Sequence, residues 1–224
     1  MSVNSLKVGV EEMVRTTVAI GGFSSEVGKT TLLCELLRAL PGWEAIKLTR
    51  GHYRSCGKDP HACCVSQLLG AEPVLRSGRR ETYAPGKDTG RYWDAGATNV
   101  HWLIVTNEQV ERGIKQALAR VCAPGVVIEG NSFLSFVRVE FTILCVPPKL
   151  DRIKPTARRA LARCDALYLF TETIDEVASA RAQFNAWCAA ATERELLNRI
   201  PVYTRAELPT LLARVCALHE AVAV

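Results

Sequence analysis

The chain has 224 residues, of which 48% are hydrophobic and 23% are charged, and its formal net charge is +5. These values are ordinary for a globular protein and exclude a chain that is disordered along most of its length; the length suits one α/β domain with a full core. The basic residues are scattered, and no stretch approaches the roughly 20 apolar residues of a membrane span. We therefore expect neither a nucleic-acid partner nor a membrane partner, and a cytoplasmic location.

We expect one domain over residues 17–224, preceded by a leader segment at residues 1–16 that has no apolar run of signal-peptide length. The nine cysteines of a cytoplasmic chain would be mostly reduced. Five of them lie among apolar neighbours, where cysteine behaves as a small hydrophobic residue. These five are assigned to the core: Cys34, Cys145, Cys164, Cys188 and Cys216.

The first expected elements are a strand, a loop and a helix within residues 17–40, TVAIGGFSSEVGKTTLLCELLRAL. The apolar β-branched run predicts the strand, and leucines at helical spacing predict the helix. A glycine-bearing turn that ends in Gly-Lys-Thr-Thr lies between them. A triphosphate needs several backbone N–H groups and the positive end of a helix, which this order of elements supplies. The stretch therefore predicts a phosphate-binding loop.

The residue types in this loop suit a nucleotide. Gly28 allows close approach of the backbone, Lys29 would reach the β- and γ-phosphates, and the Thr30 hydroxyl would bind Mg²⁺. Thr31 is placed to touch the α-phosphate. Phe23 stands where the usual pattern G-x-x-x-x-G-K-[ST] has its first glycine, so the loop is a variant. The residues expected to contact the nucleotide are Gly22, Ser24, Ser25, Glu26, Val27, Gly28, Lys29, Thr30 and Thr31.

Strands and helices alternate downstream of the loop. A second strand is expected over residues 43–49, and residues 50–87 form a long irregular section, which in a compact domain is usually functional or mobile. Asn107 is expected to cap a helix that runs to about Val121, and Ile174 to lie on the apolar side of a later helix. The other expected strands are 99–106, 125–130, 141–146, 166–171 and 200–204, and the other expected helices are 88–97, 155–164, 173–190 and 208–222.

This alternation predicts an α/β fold with a three-layer, doubly wound, mostly parallel sheet. Ligands of such sheets bind beyond the carboxyl ends of the strands, where the loop, Lys47 and Glu129 would emerge. Glu129 ends an apolar run, so it is a candidate to hold Mg²⁺ or to orient a nucleophile, although a solvated strand-end glutamate also fits. Lys47 would neutralise phosphate or substrate charge, and an ordinary surface lysine fits nearly as well. The candidate catalytic residues are Lys29, Glu129 and Lys47.

Residues 85–97 supply three further candidates. Asp88 is expected both to cap the helix that it begins and to serve a metal. Lys87 and Arg91 would then point cationic groups toward a phosphate or an acidic partner.

Thiol and imidazole side chains cluster in residues 52–64. Ligands of these types at close spacing are what Zn²⁺ or an iron–sulfur cluster needs, but the spacing matches no standard zinc motif. A metal or cluster site, a redox or disulfide role and ordinary loop thiols all stay open. The candidate ligands are Cys56, His61, Cys63 and Cys64, with His52 nearby.

The segment PGKDTGRYWDAGA at residues 85–97 resembles the GKDS/T-x-R…AGA segment of the MobB-like family, the molybdopterin-guanine dinucleotide biosynthesis adaptors. Lys47 and the Ile-Glu-Gly of residues 128–130 match further positions of that family. The resemblance spans roughly residues 17–135 and implies a P-loop NTPase fold, Mg²⁺ and GTP as ligands, slow hydrolysis, a cofactor-biosynthesis enzyme as partner and a homodimer. The family's histidine-rich stretch is replaced at residues 48–53, so the chain is identified as a divergent member.

Two other functions stay open. The cysteine-containing loop suits a metallochaperone in which the nucleotide state gates metal release. The run SSEVGKT, with Lys47 and Glu129, resembles the dethiobiotin synthetase family, which implies an ATP-dependent ligase or kinase. No N-K-x-D sequence follows the strand expected at 166–171, so the residues themselves leave GTP and ATP as alternatives.

Overall fold

The computed structural model describes residues 15–51, 65–148 and 153–222. Within these residues one sheet of eight strands forms the centre of the molecule. The strands are β1 Thr16–Gly22, β2 Glu44–Arg50, β3 Val74–Ser77, β4 Val100–Val105, β5 Gly125–Glu129, β6 Phe141–Val146, β7 Ala166–Leu169 and β8 Val202–Tyr203. They lie side by side in the order β3-β4-β2-β5-β1-β6-β7-β8.

Helices cover both faces of the sheet, so the described residues form three layers. The helices are α1 Lys29–Ala39, α2 Arg79–Thr82, α3 Asp88–Asp94, α4 Val110–Leu118, α5 Pro155–Leu161, α6 Val177–Ala190, α7 Arg194–Leu197 and α8 Leu208–Val222. One face packs against α1, α3 and α8, and the other packs against α4, α5 and α6. Successive residues of a strand point to opposite faces, and β1 accordingly sends Val18 and Ile20 into one core cluster and Ala19 into the other.

The strand order determines where a ligand can bind. Only the pairing of β3 with β4 is antiparallel, and every other neighbouring pair of described strands is parallel. The chain passes from β1 to β2 on one side and from β5 to β6 on the other, so the order reverses around β1 and β5. In the register of β2 and β5, Lys47 lies directly beside Glu129. The predicted α/β architecture with a mostly parallel sheet is confirmed.

The section expected to be irregular, residues 50–87, contains more regular structure than predicted. It holds β3, α2 and a 3-10 helix, Ser66–Leu68. The strand β3 has four residues, too few for an alternating pattern to stand out, and it forms because the edge of β4 offers it backbone partners. Residues 52–64, which include the expected metal ligands, lie outside the described part of the chain.

Two predicted helix starts are wrong. Asn107 lies in a turn, and α4 begins at Val110 after Gln109. The Gln109 side chain does not cap the helix, because its Oε1 accepts the Thr106 N–H at 3.0 Å. Ile174 is 61% exposed because it precedes α6 rather than lying on its apolar face.

Of the five cysteines assigned to the core, Cys34, Cys145 and Cys188 are buried, whereas Cys164 and Cys216 are half-buried. Burial raises the pKa of Cys164 to about 12 and the pKa of Cys188 to about 11, so both thiols stay protonated at neutral pH. In the described part of the chain, no helix combines the length and the apolar composition that crossing a membrane requires.

Candidate functional site

Phe23, at the position of the missing first glycine, belongs to the core. Its side chain is fully buried and meets the ring of Trp187 edge-on, with the ring centroids 6.2 Å apart. The Phe23 N–H donates to the Cys145 carbonyl, and its own carbonyl accepts the Lys154 N–H, both at 3.0 Å. The aromatic ring therefore points away from the inside of the loop and leaves the loop open to a ligand.

The loop between β1 and α1 depends on Gly28. This residue has a φ of 76°, in the left-handed region, and it immediately precedes the first turn of α1. A Cβ here would lie 2.0 Å from a ring carbon of Phe170, so both the backbone angle and the packing require glycine. Among the described residues, no side chain caps this end of α1, and its first turn holds no acidic residue. The amino end of α1 therefore keeps unpaired N–H groups and a partial positive charge for an anion.

Asn131, which sequence reasoning missed, fixes the start of the loop. Its Oδ1 accepts the Gly22 N–H and its Nδ2 donates to the Gly22 carbonyl, each at 2.8 Å. Both backbone groups of Gly22 are thereby tied to the turn that follows β5. In the sequence, Asn131 is marked only by its position directly after the Glu-Gly at the end of β5. Its role was missed because its partner, Gly22, lies 109 positions earlier in the chain.

Glu129 lies at the centre of the polar groups beside the loop. Its side chain is almost fully buried at the end of β5. One carboxylate oxygen accepts from Lys47 Nζ at 2.5 Å, and the other accepts from the Thr30 hydroxyl at 2.9 Å. Lys47 Nζ also lies 2.6 Å from the Asp88 carboxylate. The structure thus brings together Lys47, Glu129, Thr30 and Asp88, all of which the sequence selects.

The opposite charges in this group stabilise the charged forms of Lys47 and Asp88. Burial opposes the charged form of Lys47, but the carboxylates of Glu129 and Asp88 outweigh it and raise the pKa of Lys47. Burial likewise acts to raise the pKa of Asp88, whereas the Lys47 ammonium, the Thr30 hydroxyl and the Arg91 cation lower it, and the net shift is downward. The Lys47–Asp88 pair therefore stays charged across the neutral range of pH.

Tyr92 is a second residue that sequence reasoning missed. Its hydroxyl is buried and donates to the same Glu129 oxygen that accepts from Thr30. Burial first, and then the Glu129 carboxylate, raise the pKa of Tyr92 well above its ordinary value, so the hydroxyl remains a donor. The sequence spacing could have indicated Tyr92, because it lies four residues after Asp88 on α3 and projects from the same side of the helix.

The remaining residues of α3 differ in their placement. Asp88 does not cap the helix as expected. Lys87 occupies the cap position without a side-chain bond, and the Asp88 carboxylate pairs instead with the ammonium group of the half-buried Lys47. Arg91 donates to the Thr31 hydroxyl at 3.1 Å. Lys87 is exposed.

A cleft of about 540 Å³ opens beside these side chains at the carboxyl ends of the strands, and neither Lys87 nor Tyr92 is among the residues that line it. Arg50 and Phe170, which sequence reasoning did not select, contribute to its wall. Lys29 Nζ donates to the Ser24 carbonyl at 3.3 Å, a weak contact within its own loop. The predicted residues that line the cleft are Ser25, Glu26, Val27, Gly28, Lys29, Thr30, Thr31, Lys47, Asp88, Arg91 and Glu129, whereas Gly22 and Ser24 line a smaller neighbouring cleft.

The oxygen atoms in the cleft suit magnesium. Among the described residues, no three side chains of His, Cys, Asp or Glu gather into a metal site. Thr30, Asp88 and Glu129 provide one hydroxyl and two carboxylates instead. Mg²⁺ is usually held by one or two carboxylates and completes its shell with water and substrate phosphates, so this donor set fits it. The proposed cysteine ligands at residues 56–64 lie outside the described residues.

No protein-family model matches the chain, and no curated protein sequence matches it.

Proposed function

We propose that the protein binds a nucleoside triphosphate with Mg²⁺ and has the P-loop NTPase fold. One observation carries the proposal: Gly28 in its left-handed conformation, Lys29, Thr30 and Glu129 meet in a single cleft at the carboxyl ends of parallel strands. Each residue type has a separate reason to be there, and the reversal of strand order places the cleft where such sheets bind ligands.

The triphosphate would lie over the amino end of α1. The N–H groups of the first turn have no partner inside the helix and would donate to phosphate oxygens. Lys29 would leave the Ser24 carbonyl, a contact of 3.3 Å that costs little to break, and would reach the β- and γ-phosphates. Arg91, beside Thr31, would supply a cation near the α-phosphate.

Thr30, Glu129 and Asp88 would hold the metal ion. When bound, Mg²⁺ would neutralise phosphate charge and polarise the terminal phosphoryl group. Lys47 keeps the two carboxylates compensated until the ligand arrives, since its ammonium group lies between them. Glu129 would then accept a hydrogen bond from an attacking water molecule, which supports slow hydrolysis as part of the proposal.

The resemblance to the MobB-like family extends the proposal to molybdenum-cofactor biosynthesis. The segment that carries it, residues 85–97, contributes Asp88 and Arg91 to the lining of the cleft, and its buried Tyr92 donates to Glu129. A role for this segment at the nucleotide is thus supported by its position. GTP as the preferred nucleotide, a cofactor-biosynthesis enzyme as partner and a homodimer follow from the resemblance as parts of the same proposal.

Calorimetric titration with GTP and with ATP, each with Mg²⁺, tests nucleotide binding. Lys29→Ala should weaken binding about tenfold to a hundredfold, because one or two charge-assisted hydrogen bonds are lost. Lys115→Ala is the matched control, since Lys115 is an exposed lysine of α4 that pairs with Glu111. Preference for GTP would support the family assignment, and preference for ATP would favour the ligase or kinase hypothesis. Binding of neither nucleotide would contradict the proposal.

A further inference from the structure

A second, smaller cleft of about 140 Å³ is also lined by Lys29. It shares Lys29, Leu48, Arg50 and Gly130 with the main cleft. Its separate wall contains Lys154 and Asn131, from the segments that follow β6 and β5. The two clefts are therefore neighbours that meet at the lysine expected to contact the terminal phosphates.

The charge in this second cleft is of one sign. Lys29, Arg50 and Lys154 line it, and no carboxylate is found among the described residues of its lining. Burial, followed by the cations of Lys29 and Arg50, lowers the pKa of Lys154. Lys47 is the opposite case, because two carboxylates raise its pKa. Cations that repel one another in a cleft gain free energy when an anion binds between them.

Hydrogen bonds orient the wall of the second cleft before any ligand binds, and the Lys154 and Ser25 side chains among them are exposed to solvent. The Lys154 N–H donates to the Phe23 carbonyl at 3.0 Å, and Lys154 Nζ donates to the Ser25 hydroxyl at 2.8 Å. Asn131 is fixed by its two hydrogen bonds to Gly22. A cationic group that is already positioned binds an anion at a lower cost in side-chain entropy.

We propose that this cleft binds the oxyanion of a second ligand, a phosphate or carboxylate group, beside the terminal phosphate of the nucleotide. The inference rests on the proposed nucleotide site, because Lys29 is common to both clefts. The bound oxyanion could come from two sources, the nucleotide's own γ-phosphate or a separate small acidic molecule, and the proposal assigns it to the separate molecule.

Inorganic phosphate is the probe. It is titrated by calorimetry into protein that is saturated with Mg²⁺ and the β,γ-imido analogue of GTP or ATP, so that the triphosphate site is filled. We expect phosphate to bind this complex, and Lys154→Met and Arg50→Gln each to weaken phosphate binding about tenfold or more through loss of a charge-assisted contact. Lys154→Met should bind the analogue within about twofold of the parent affinity, because Lys154 lines the smaller cleft and not the main one, whereas Arg50 lines both. Arg158→Met is the control, since Arg158 lies on α5 and pairs with Glu193.

The outcomes separate this inference from the proposed function. If phosphate does not bind the analogue-saturated protein, or if the variants at Lys154 and Arg50 both leave phosphate affinity unchanged, the second subsite is refuted and the nucleotide site stands. If the analogue does not bind, the nucleotide proposal fails, and phosphate titrated into the ligand-free protein still decides the subsite by its dependence on Lys154. Thermal unfolding of each variant checks that it folds, and the two variants come from different segments of the chain.

Discussion

Two glutamates at opposite ends of neighbouring strands show how a buried acid can serve either the fold or a site. Glu44 begins β2 and Glu129 ends β5, and their exposed fractions are 4% and 3%. Glu44 accepts from His101 Nε2 at 2.7 Å and from the backbone N–H groups of Cys122 and Ala123, each at 3.0 Å. Glu129 accepts instead from three side chains, those of Lys47, Thr30 and Tyr92.

The difference lies in what the partners can do. The backbone groups that bind Glu44 cannot leave without unfolding the turn that precedes β5, and the His101 ring is itself held by the Ser77 hydroxyl at 2.8 Å. The partners of Glu129 are side-chain donors, and two of them line an open cleft. Burial of an acid therefore does not by itself indicate a site, whereas exchangeable partners beside an accessible volume make Glu129 the candidate of the two.

The largest expected effect is loss of stability in Glu44→Ala. The substitution leaves two backbone N–H groups and a buried histidine without their acceptor, so the free energy of unfolding should fall by about 3 kcal/mol or more. Denaturant unfolding measures this loss. Nucleotide affinity, measured below the unfolding transition, should not change; a variant with intact stability and weakened nucleotide binding would reverse the roles given to the two glutamates.

The second effect is at the loop beside Glu129. Gly28→Ala forces a side chain into the left-handed region, which costs about 1–2 kcal/mol, and also displaces Phe170 from the cleft wall. Gly42→Ala is the matched control, because Gly42 has a φ of 89° with no atom within 4 Å of an added Cβ. Both variants should lose stability by denaturant unfolding, and only Gly28→Ala should lose nucleotide binding. Equal nucleotide affinities in the two variants would argue against a ligand at this loop.

The third effect is on Mg²⁺-dependent binding in Glu129→Gln. The amide oxygen can still accept from Thr30 and Tyr92, whereas the oxygen that accepts from Lys47 is replaced by an NH₂ group and the negative charge is lost. Nucleotide affinity in the presence of Mg²⁺ should therefore fall about tenfold. The same titration with EDTA should show a much smaller difference between variant and parent. A similar loss with and without Mg²⁺ would mean that Glu129 positions the loop rather than the metal ion.

How much the sequence predicts depends on the range of the interactions. β6 and α8 are found at their predicted bounds, because each is a long apolar pattern that local periodicity determines. β3 was missed because it is short and depends on the edge of β4. The confirmed part of the fold is accordingly the part with strong local patterns.

The same distinction applies to the candidate site. Lys47, Asp88 and Glu129 were selectable because charged residues at the ends of apolar strands or at the start of a helix stand out in a sequence. Tyr92 and Asn131 do not stand out, because tyrosine is common in helices and asparagine is common in turns. Tyr92 contacts Glu129, 37 positions away, and Asn131 contacts Gly22, 109 positions away. Only the packing of α3 against the sheet and the pairing of β1 with β5 bring these partners together.

The smallest expected effect is on the pH dependence of the unfolding free energy, through the Lys47–Asp88 pair. The pKa of Asp88 in the folded protein is lowered from 3.8, so its contribution to stability is complete above that pH and is lost as the pH falls through the lower, folded-state pKa. Asp88→Asn removes this contribution. Its unfolding free energy should therefore depend less steeply on pH than that of the parent between about pH 5 and pH 2.

Asp94→Asn supplies the control for this measurement, since Asp94 is an exposed acid at the other end of α3. It should retain the parental dependence on pH. The Asp88 side chain is 44% exposed, so solvent weakens the pair and the difference from the parent should be small. If the unfolding free energy of Asp88→Asn depended on pH as steeply as that of the parent, the Lys47–Asp88 pair would contribute nothing to stability. Lys47 would then be held by Glu129 alone, and Asp88 could bind a metal ion without losing a partner.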